Sequence, residues 1–300
     1  MHIEAILACL ERITHYDKQA FTPLFFDGER LGCVNREWRE RLLACESALF
    51  SLSERGLHCN VDGDYGRRSA LLGAAARRWR DIGWLSGWRD ENFTAFALDG
   101  TPLFELERAA FRPLGLTSEA VHLNALTRLA DGEVRMWIGR RSPHKSVEPN
   151  RLDNAMGGGV AAGESLAVAL QREGWEEAGI PAVQLAALTP CRMILAERPV
   201  ARGLHREWLY AHDLWLAEGE APQNQDGEVA EHLCLPLAEV EALIAQERFM
   251  NDAALVAIDS LLRLGYWGEH GRLVADAMAH VAHPLPPGGR AQRDVCSPAL

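Results

Sequence analysis

Residues 158–180 read GGVAAGESLAVALQREGWEEAGI. The stretch sets Glu164, Arg172, Glu173, Glu176 and Glu177 at fixed intervals between Gly158 and Gly179. At about 100° per residue, Glu173, Glu176 and Glu177 share roughly a 100° arc of one helix face. Ser165 is placed to cap that helix, and Gly179 to end it in a left-handed conformation. The spacing therefore predicts a helix from about Ser165 to Ala178, with Glu164 just before its cap. Like charges stacked on one face repel, whereas a solvated face usually alternates signs. Carboxylates beside glycine-rich backbone offer what a hard cation such as Mg²⁺ requires: oxygen ligands and room for waters and phosphates. Such an ion would offset the repulsion, polarise a phosphoryl oxygen and activate a bound water.

Working outward, Val121 to Leu129 and Val134 to Arg141 read as two strands joined by an Asp131-Gly132 turn. A polar loop follows over Ser142 to Asn154, then the glycine triplet and a strand-like Val160. Beyond the helix, Trp208 to Leu216 and His232 to Leu235 are strand candidates, and helices are expected at Leu237 to Ala245 and Asp252 to Leu264. The last thirty residues contain HPLPPGGR and read as an extended tail. Upstream, the first eighteen residues form an amphipathic helix with acids in its apolar stretch, unlike a signal peptide. Hairpins with Asp-Gly turns are expected at Phe21 to Val34 and Phe93 to Leu106. Helices are expected at Arg36 to Ser53 and Arg67 to Ile82, and Phe111 to Gly115 is a plausible boundary. The organisation read is a small α+β unit over residues 1–115, a second unit over 116–268 and a tail over 269–300.

Three hundred residues with 48% hydrophobic and 24% charged content suit a folded chain of two ordinary domains. A net charge of −11 disfavours a nucleic-acid binder, and no apolar run approaches the roughly 18 residues that span a bilayer. The seven cysteines (9, 33, 45, 59, 191, 234, 296) are scattered and never spaced C-x-x-C. Reduced thiols in a cytoplasmic protein are the expectation. Lys18 and Lys145 are the only lysines among thirty-one basic residues. The glycine triplet lacks G-x-G-x-x-G and the G-K-[ST] phosphate loop, and no G-x-S-x-G elbow occurs.

The spacing G-x5-E-x7-R-E-x-x-E-E-x-G followed by an apolar residue resembles the Nudix box, the signature of Nudix hydrolases. Gly174 departs from the pattern, standing where a bulkier apolar residue is usual. A helical glycine costs roughly 1 kcal/mol relative to alanine, and here it reads as a packing accommodation. The resemblance implies an α+β chain whose second unit is the family's α/β/α sandwich with a mixed sheet. It implies Mg²⁺ or Mn²⁺ as cofactor and a small-molecule diphosphate as substrate. Glu173, Glu176 and Glu177 would be metal ligands, with Glu164 helping at the metal site through a water or from behind the direct ligands. Arg172 would orient the glutamates, and backbone at Gly157 and Gly158 would offer a carbonyl ligand and close approach to a phosphate. Glu228 is the expected further carboxylate, with Glu231 in reserve; the catalytic set is then Glu173, Glu177, Arg172 and Glu228. Either a box glutamate or Glu228 would be the base.

The flanking segments, MWIGRRSPHKSVEPNRLDNAMGGGV and LYAHDLWL…PQNQDGEVAEH, resemble a Nudix subgroup whose N-terminal region is shared with proteins related to thiamine pyrophosphokinase. That resemblance implies hydrolysis of thiamine diphosphate, especially its oxidised forms, to the monophosphate. Arg140, Arg141 and Lys145 are the candidate phosphate contacts, and Trp84, Trp88, Phe93 and Trp137 the candidate stacking partners for a ring. His280 and His283 lack an evident carboxylate partner and read as tail or core residues. The alternatives are a nucleoside-diphosphate-linked substrate of the ADP-ribose or dinucleotide type, and a sensor without catalysis. Isopentenyl-diphosphate isomerase shares the fold, but neither Cys191 nor Cys234 has an evident glutamate–tyrosine arrangement beside it.

Overall fold

The computed structural model describes residues 1–145 and 147–284. Helix α1 (Ile3–Thr14) buries Ile6, Cys9, Leu10 and Ile13, the stripe its apolar spacing predicts. Strands β1 (Phe21–Phe26) and β2 (Glu29–Asn35) form a hairpin. Its turn residues Asp27 and Gly28 both have positive φ, 47° and 85°, which matches the twist of the flanking strands. Helix α2 (Arg36–Cys45) is capped by the Asn35 side chain. It stops well short of Ser53, the end expected from the sequence. Glu46 turns inward to accept hydrogen bonds from Arg78 and the Trp79 indole. The residues after it form a second hairpin, β3 (Phe50–Ser53) and β4 (Gly56–Cys59), giving a sheet of order β2-β1-β4-β3. Helix α3 (Tyr65–Asp81), capped by Asp64, packs on this unit, and β5 (Asn92–Phe96) and β6 (Pro102–Glu107) make the expected hairpin. The short helix α4 (Phe111–Leu114) closes the unit.

The second unit is built on β7 (Ser118–Arg128), β8 (Val134–Arg141), β9 (Leu152–Asp153), β10 (Met156–Gly159), β11 (Arg192–Val200), β12 (Gly203–Leu216), β13 (Val229–Pro236) and β14 (Ala282–His283). The main order is β13-β8-β7-β12-β11-β14, with β9 on β8 and β10 on β7. β7 and β12 run parallel and the other pairings are antiparallel, so the sheet is mixed. Period-two alternation along β7 sends Val121 and Leu123 to one face, against α5 (Leu166–Ala178) and α6 (Ala182–Leu185). Ala120 and Leu126 go to the other face, under α7 (Leu237–Ala245), α8 (Asn251–Arg263) and α9 (Gly271–Met278). Helices thus cover both faces of the sheet, the architecture expected from the family resemblance.

Two elements correct the organisation read from the sequence. Helix α1 lies in the first 115 residues, yet its buried stripe joins the core of the second unit with Val240, Ile244, Val274 and Met278. The expected tail is folded at its start, since α9 buries Val274 and Met278 and β14 pairs with β11. Most of the HPLPPGGR segment lies outside the described residues.

Candidate active site

Helix α5 begins where the Ser165 side chain accepts the Val168 N–H and ends at Gly179, whose φ is +63°. Glu177 is buried, Glu173 largely so, and Glu176 is half exposed. Gly174 is buried as well. A Cβ there would lie 2.4 Å from Leu185 Cδ1, which explains the glycine at this position.

Arg172 gathers the acids. Its Nε and Nη2 reach the two oxygens of Glu164 at 2.8 and 2.9 Å, and Nη1 lies 2.7 Å from Glu173 Oε1 and 3.4 Å from Glu176 Oε2. Nη2 also donates to the Gly159 carbonyl at 3.2 Å, tying helix to strand. This bidentate hydrogen bonding holds the Glu164 carboxyl below its ordinary range. Burial pushes Glu173 up, with Arg172 pulling it back.

Strand β10 presses the glycine backbone against these groups. A Cβ on Gly158 would fall 2.0 Å from Glu173 Cδ, and one on Gly159 would meet the Phe93 ring at 2.8 Å. The Gly157 N–H donates to Glu177 Oε2 at 3.1 Å. Burial raises the Glu177 carboxyl to about 7, with Lys145 opposing the rise and Asp153 and Glu173 reinforcing it. Lys145 Nζ lies 3.3 Å from Glu177 Oε1 and also contacts Glu228, which stands in the turn before β13. The ammonium thus bridges a box glutamate and the carboxylate expected from the later loop.

These residues line one end of a cavity of about 640 Å³. At that end six carboxylates (Asp153, Glu173, Glu176, Glu177, Asp226, Glu228) face three cations (Arg141, Lys145, Arg172). Hard oxygen donors in negative excess fit a divalent cation. Of the expected phosphate contacts, Arg141 lines the cavity while bonded to Asp153 and the Val147 carbonyl. Arg140, the next residue on β8, pairs with Glu231 and Asn150 and is not among the lining residues, so that expectation is corrected by the alternation of the strand.

The first unit contributes Phe93, Arg108 and Arg112 to the lining. Of the four aromatic candidates only Phe93 lines the cavity. Trp84 and Trp88 pack against the first unit's core, and the Trp137 indole donates to Thr127. Cys191 and Cys234 do not line it either, and burial raises both thiols. The His280 ring lies tilted against His15, and His283 lies edge-on to Trp208.

Sequence reasoning missed Arg198, Arg202, His205, Glu207 and Asp252, which line the cavity. His205, Glu207 and Asp252 can bring ligand atoms within 4.8 Å of one another. Both carboxylates are already engaged, Asp252 with Arg198 and His205, and Glu207 with Arg112 and the Ser118 hydroxyl. Burial lowers the His205 imidazole, favouring its neutral form. The readable signal was His205-x-Glu207, two residues on one face of a strand.

A NUDIX domain model matches residues 121–254, and a model for a domain of unknown function, DUF4743, matches residues 2–118. The chain is 31% identical over 271 residues to Nudix hydrolase 20, chloroplastic, of Arabidopsis thaliana, covering 82% of this chain and 68% of that protein. The chain belongs to the Nudix hydrolases. Nudix hydrolase 24, chloroplastic, of the same plant is 30% identical over 261 residues, with 82% and 68% covered. A crystal structure of DR0079 from Deinococcus radiodurans aligns at 24% identity and a TM-score of 0.42, covering 55% of this chain and 97% of that one. As a Nudix hydrolase the chain is an enzyme acting on pyrophosphate bonds of small molecules, in a family that generally uses divalent metal ions.

Proposed function

We propose that this Nudix hydrolase cleaves the diphosphate of thiamine diphosphate or its oxidised forms, releasing the monophosphate. The observation that carries the reading is the shared cavity: box carboxylates at one end, and Phe93 of the first unit packed over Gly159 beside them. A volume of about 640 Å³ suits a ligand of this size, and Phe93 offers its ring a stacking face. The flanking-sequence resemblance supports the same substrate.

In this reading Glu173, Glu176 and Glu177 hold Mg²⁺ or Mn²⁺, with Glu164 and the backbone at Gly158 assisting. The bound ion supplies Lewis acidity at the phosphoryl oxygen and an acidified water. Arg172 fixes the orientation of Glu164, Glu173 and Glu176. Glu228 or a box glutamate takes the proton of the attacking water. Lys145 and Arg141 contact the diphosphate. The bridge from Lys145 to Glu177 and Glu228 supports the assignment, since it already seats a cation between those carboxylates. A reducing compartment such as the cytoplasm suits the free cysteines at 9, 33, 45, 59, 191 and 234; the chloroplastic names belong to the plant relatives.

Mass-spectrometric product analysis with Mg²⁺ tests the reading on thiamine diphosphate, its oxidised forms, ADP-ribose, NADH and dNTPs. Preferred formation of the thiamine-type monophosphate is expected. Turnover confined to nucleotides would refute the thiamine substrate and leave the hydrolase assignment standing.

A further inference from the structure

His122 lines the cavity, yet no role in the proposed chemistry falls to it. It stands on β7 opposite Gly157 of β10, the residue whose N–H holds Glu177. A Cβ on Gly157 would fall 2.8 Å from both Nδ1 and Cε1 of the imidazole, so the ring lies against the backbone that carries the Glu177 contact.

A chain of buried side chains decides which ring nitrogen carries the proton. It starts at Arg263 of α8, whose guanidinium can only donate and does so to both oxygens of Asp213. A carboxylate in that pairing only accepts, so the group Asn124 turns toward Asp213 is its amide NH2, at 3.0 Å. The Asn124 carbonyl is left to accept from the Asn154 NH2, also at 3.0 Å. That NH2 donates as well to the Ala253 carbonyl at 3.3 Å, which independently forbids the opposite orientation. The Asn154 carbonyl therefore faces His122 Nδ1 at 2.8 Å, and Nδ1 must be the N–H. In the neutral ring Nε2 then bears the lone pair. Among the described residues nothing bonds Nε2, and the atom is not sealed from solvent. Asn124 and Asn154 are buried, so reversing any link would strand a polar group.

A pure acceptor beside a diphosphate site has a narrow use. It repels the ionised phosphate oxygens and has nothing to donate to them. What it can hold is an O–H, and the O–H that hydrolysis brings to this end is that of the attacking water. We infer that His122 Nε2 accepts one hydrogen of that water and so aims its oxygen at phosphorus. The other hydrogen faces the carboxylate base. As the water oxygen bonds to phosphorus, the bridging P–O bond breaks and the departing group takes its electron pair. One proton passes to the base, and the second stays on the new phosphate hydroxyl, still held at Nε2. His122 thus orients the nucleophile without taking a proton, and Asn154 is the positioning residue behind it. The inference deepens the proposed reaction, resting on the box end as its centre and not on the thiamine substrate.

The tautomer is read first, without substrate, from the ring ¹⁵N signals of the histidine-labelled full chain, with His122→Gln to assign the residue. A protonated Nδ1 and a bare Nε2 are expected; an Nε2–H ring or a doubly protonated one at neutral pH would overturn the inference. Steady-state kinetics with Mg²⁺ then use whichever diphosphate of the product panel is turned over. His122→Phe keeps the ring's bulk without an acceptor and should lower kcat about a hundredfold, with KM changed by less than about threefold. His122→Gln, whose amide oxygen can reach the Nε2 position, should recover about tenfold of that loss. Asn154→Leu should shift the ring toward the Nε2–H form, lower kcat, and add nothing further when combined with His122→Phe. Thermal melts confirm folding, and Mn²⁺ titration followed by electron paramagnetic resonance should give His122→Phe the affinity of the unsubstituted chain. A loss of Mn²⁺ affinity of about tenfold or more would make Nε2 a metal ligand and overturn its assignment to the water. Unaltered kcat in His122→Phe would overturn this inference alone, whereas turnover of no diphosphate would refute the proposed reaction and the inference with it.

Discussion

Glu177 is buried among Lys145, Asp153 and Glu173, and burial alone would favour its neutral form. Replacing it with glutamine keeps an acceptor for the Gly157 N–H and removes a buried charge. Glu177→Gln should lower kcat by about three orders of magnitude, in line with the loss of metal-held charge at the reacting centre. Its melting temperature in a chelator should not fall. Steady-state kinetics and a thermal melt check the two halves, and a variant with normal turnover would remove Glu177 from the metal set. Asp252 behaves differently. Burial opposes its ionisation, but the Arg198 charge and the hydrogen bonds from Arg198 and His205 prevail and hold the carboxyl well below the usual range. The native state therefore stays ionised where the unfolded chain takes up a proton. Stability from this group is present above about pH 4 and is lost as pH falls below it. Asp252→Asn should flatten that acid decline while costing about 3–5 kcal/mol at neutral pH, because Arg198 is left buried without its partner. Urea midpoints from low to neutral pH would show both effects.

At the scale of elements, α5 is where local preference and tertiary packing meet. Gly174→Ala adds about 1 kcal/mol of helix propensity, but its methyl would collide with Leu185 Cδ1. Overpacking of this kind costs about 1–3 kcal/mol, so a lower denaturant midpoint is expected; a higher one would show that Leu185 yields freely. This helix was legible because its caps, its period and its charges are all local. The end of α2 was not, because what stops it is Glu46 turning toward Arg78 and Trp79, more than thirty residues away in the chain. Strand β11 escaped notice because Arg192, Glu197 and Arg198 break its apolar alternation. Each is satisfied from elsewhere in the fold, by Asp259, by Tyr16 and Arg206, and by Asp252. The arginines Arg108, Arg112, Arg198 and Arg202 of the cavity lining were equally hidden. They come from β6–α4 and the β11–β12 hairpin, and no spacing rule joins segments that only tertiary structure brings together.

For the molecule as a whole, the placement of α1 changes what a truncation would mean. Removing residues 1–115 takes away the cavity wall and also strips Ile6, Leu10 and Ile13 from the core of the Nudix unit. A deletion confined to residues 1–16 should lower the melting temperature although it leaves the cavity lining untouched. Leu10→Ala alone should cost about 2–5 kcal/mol. Hydrogen exchange in α7 and α9 would report the loss, and unchanged protection there would show that α1 is dispensable.

The same helix sets the timetable of biosynthesis. It leaves the ribosome well before the surfaces on α7 and α9 that receive it. At roughly 5–20 residues per second the interval is of the order of tens of seconds. Throughout it the apolar stripe of α1 lacks its partners on α7 and α9, while the first unit can fold as a completed loop between them. Final docking of α1 would then draw that loop shut, leaving the nascent stripe as the surface on which a chaperone would have reason to act.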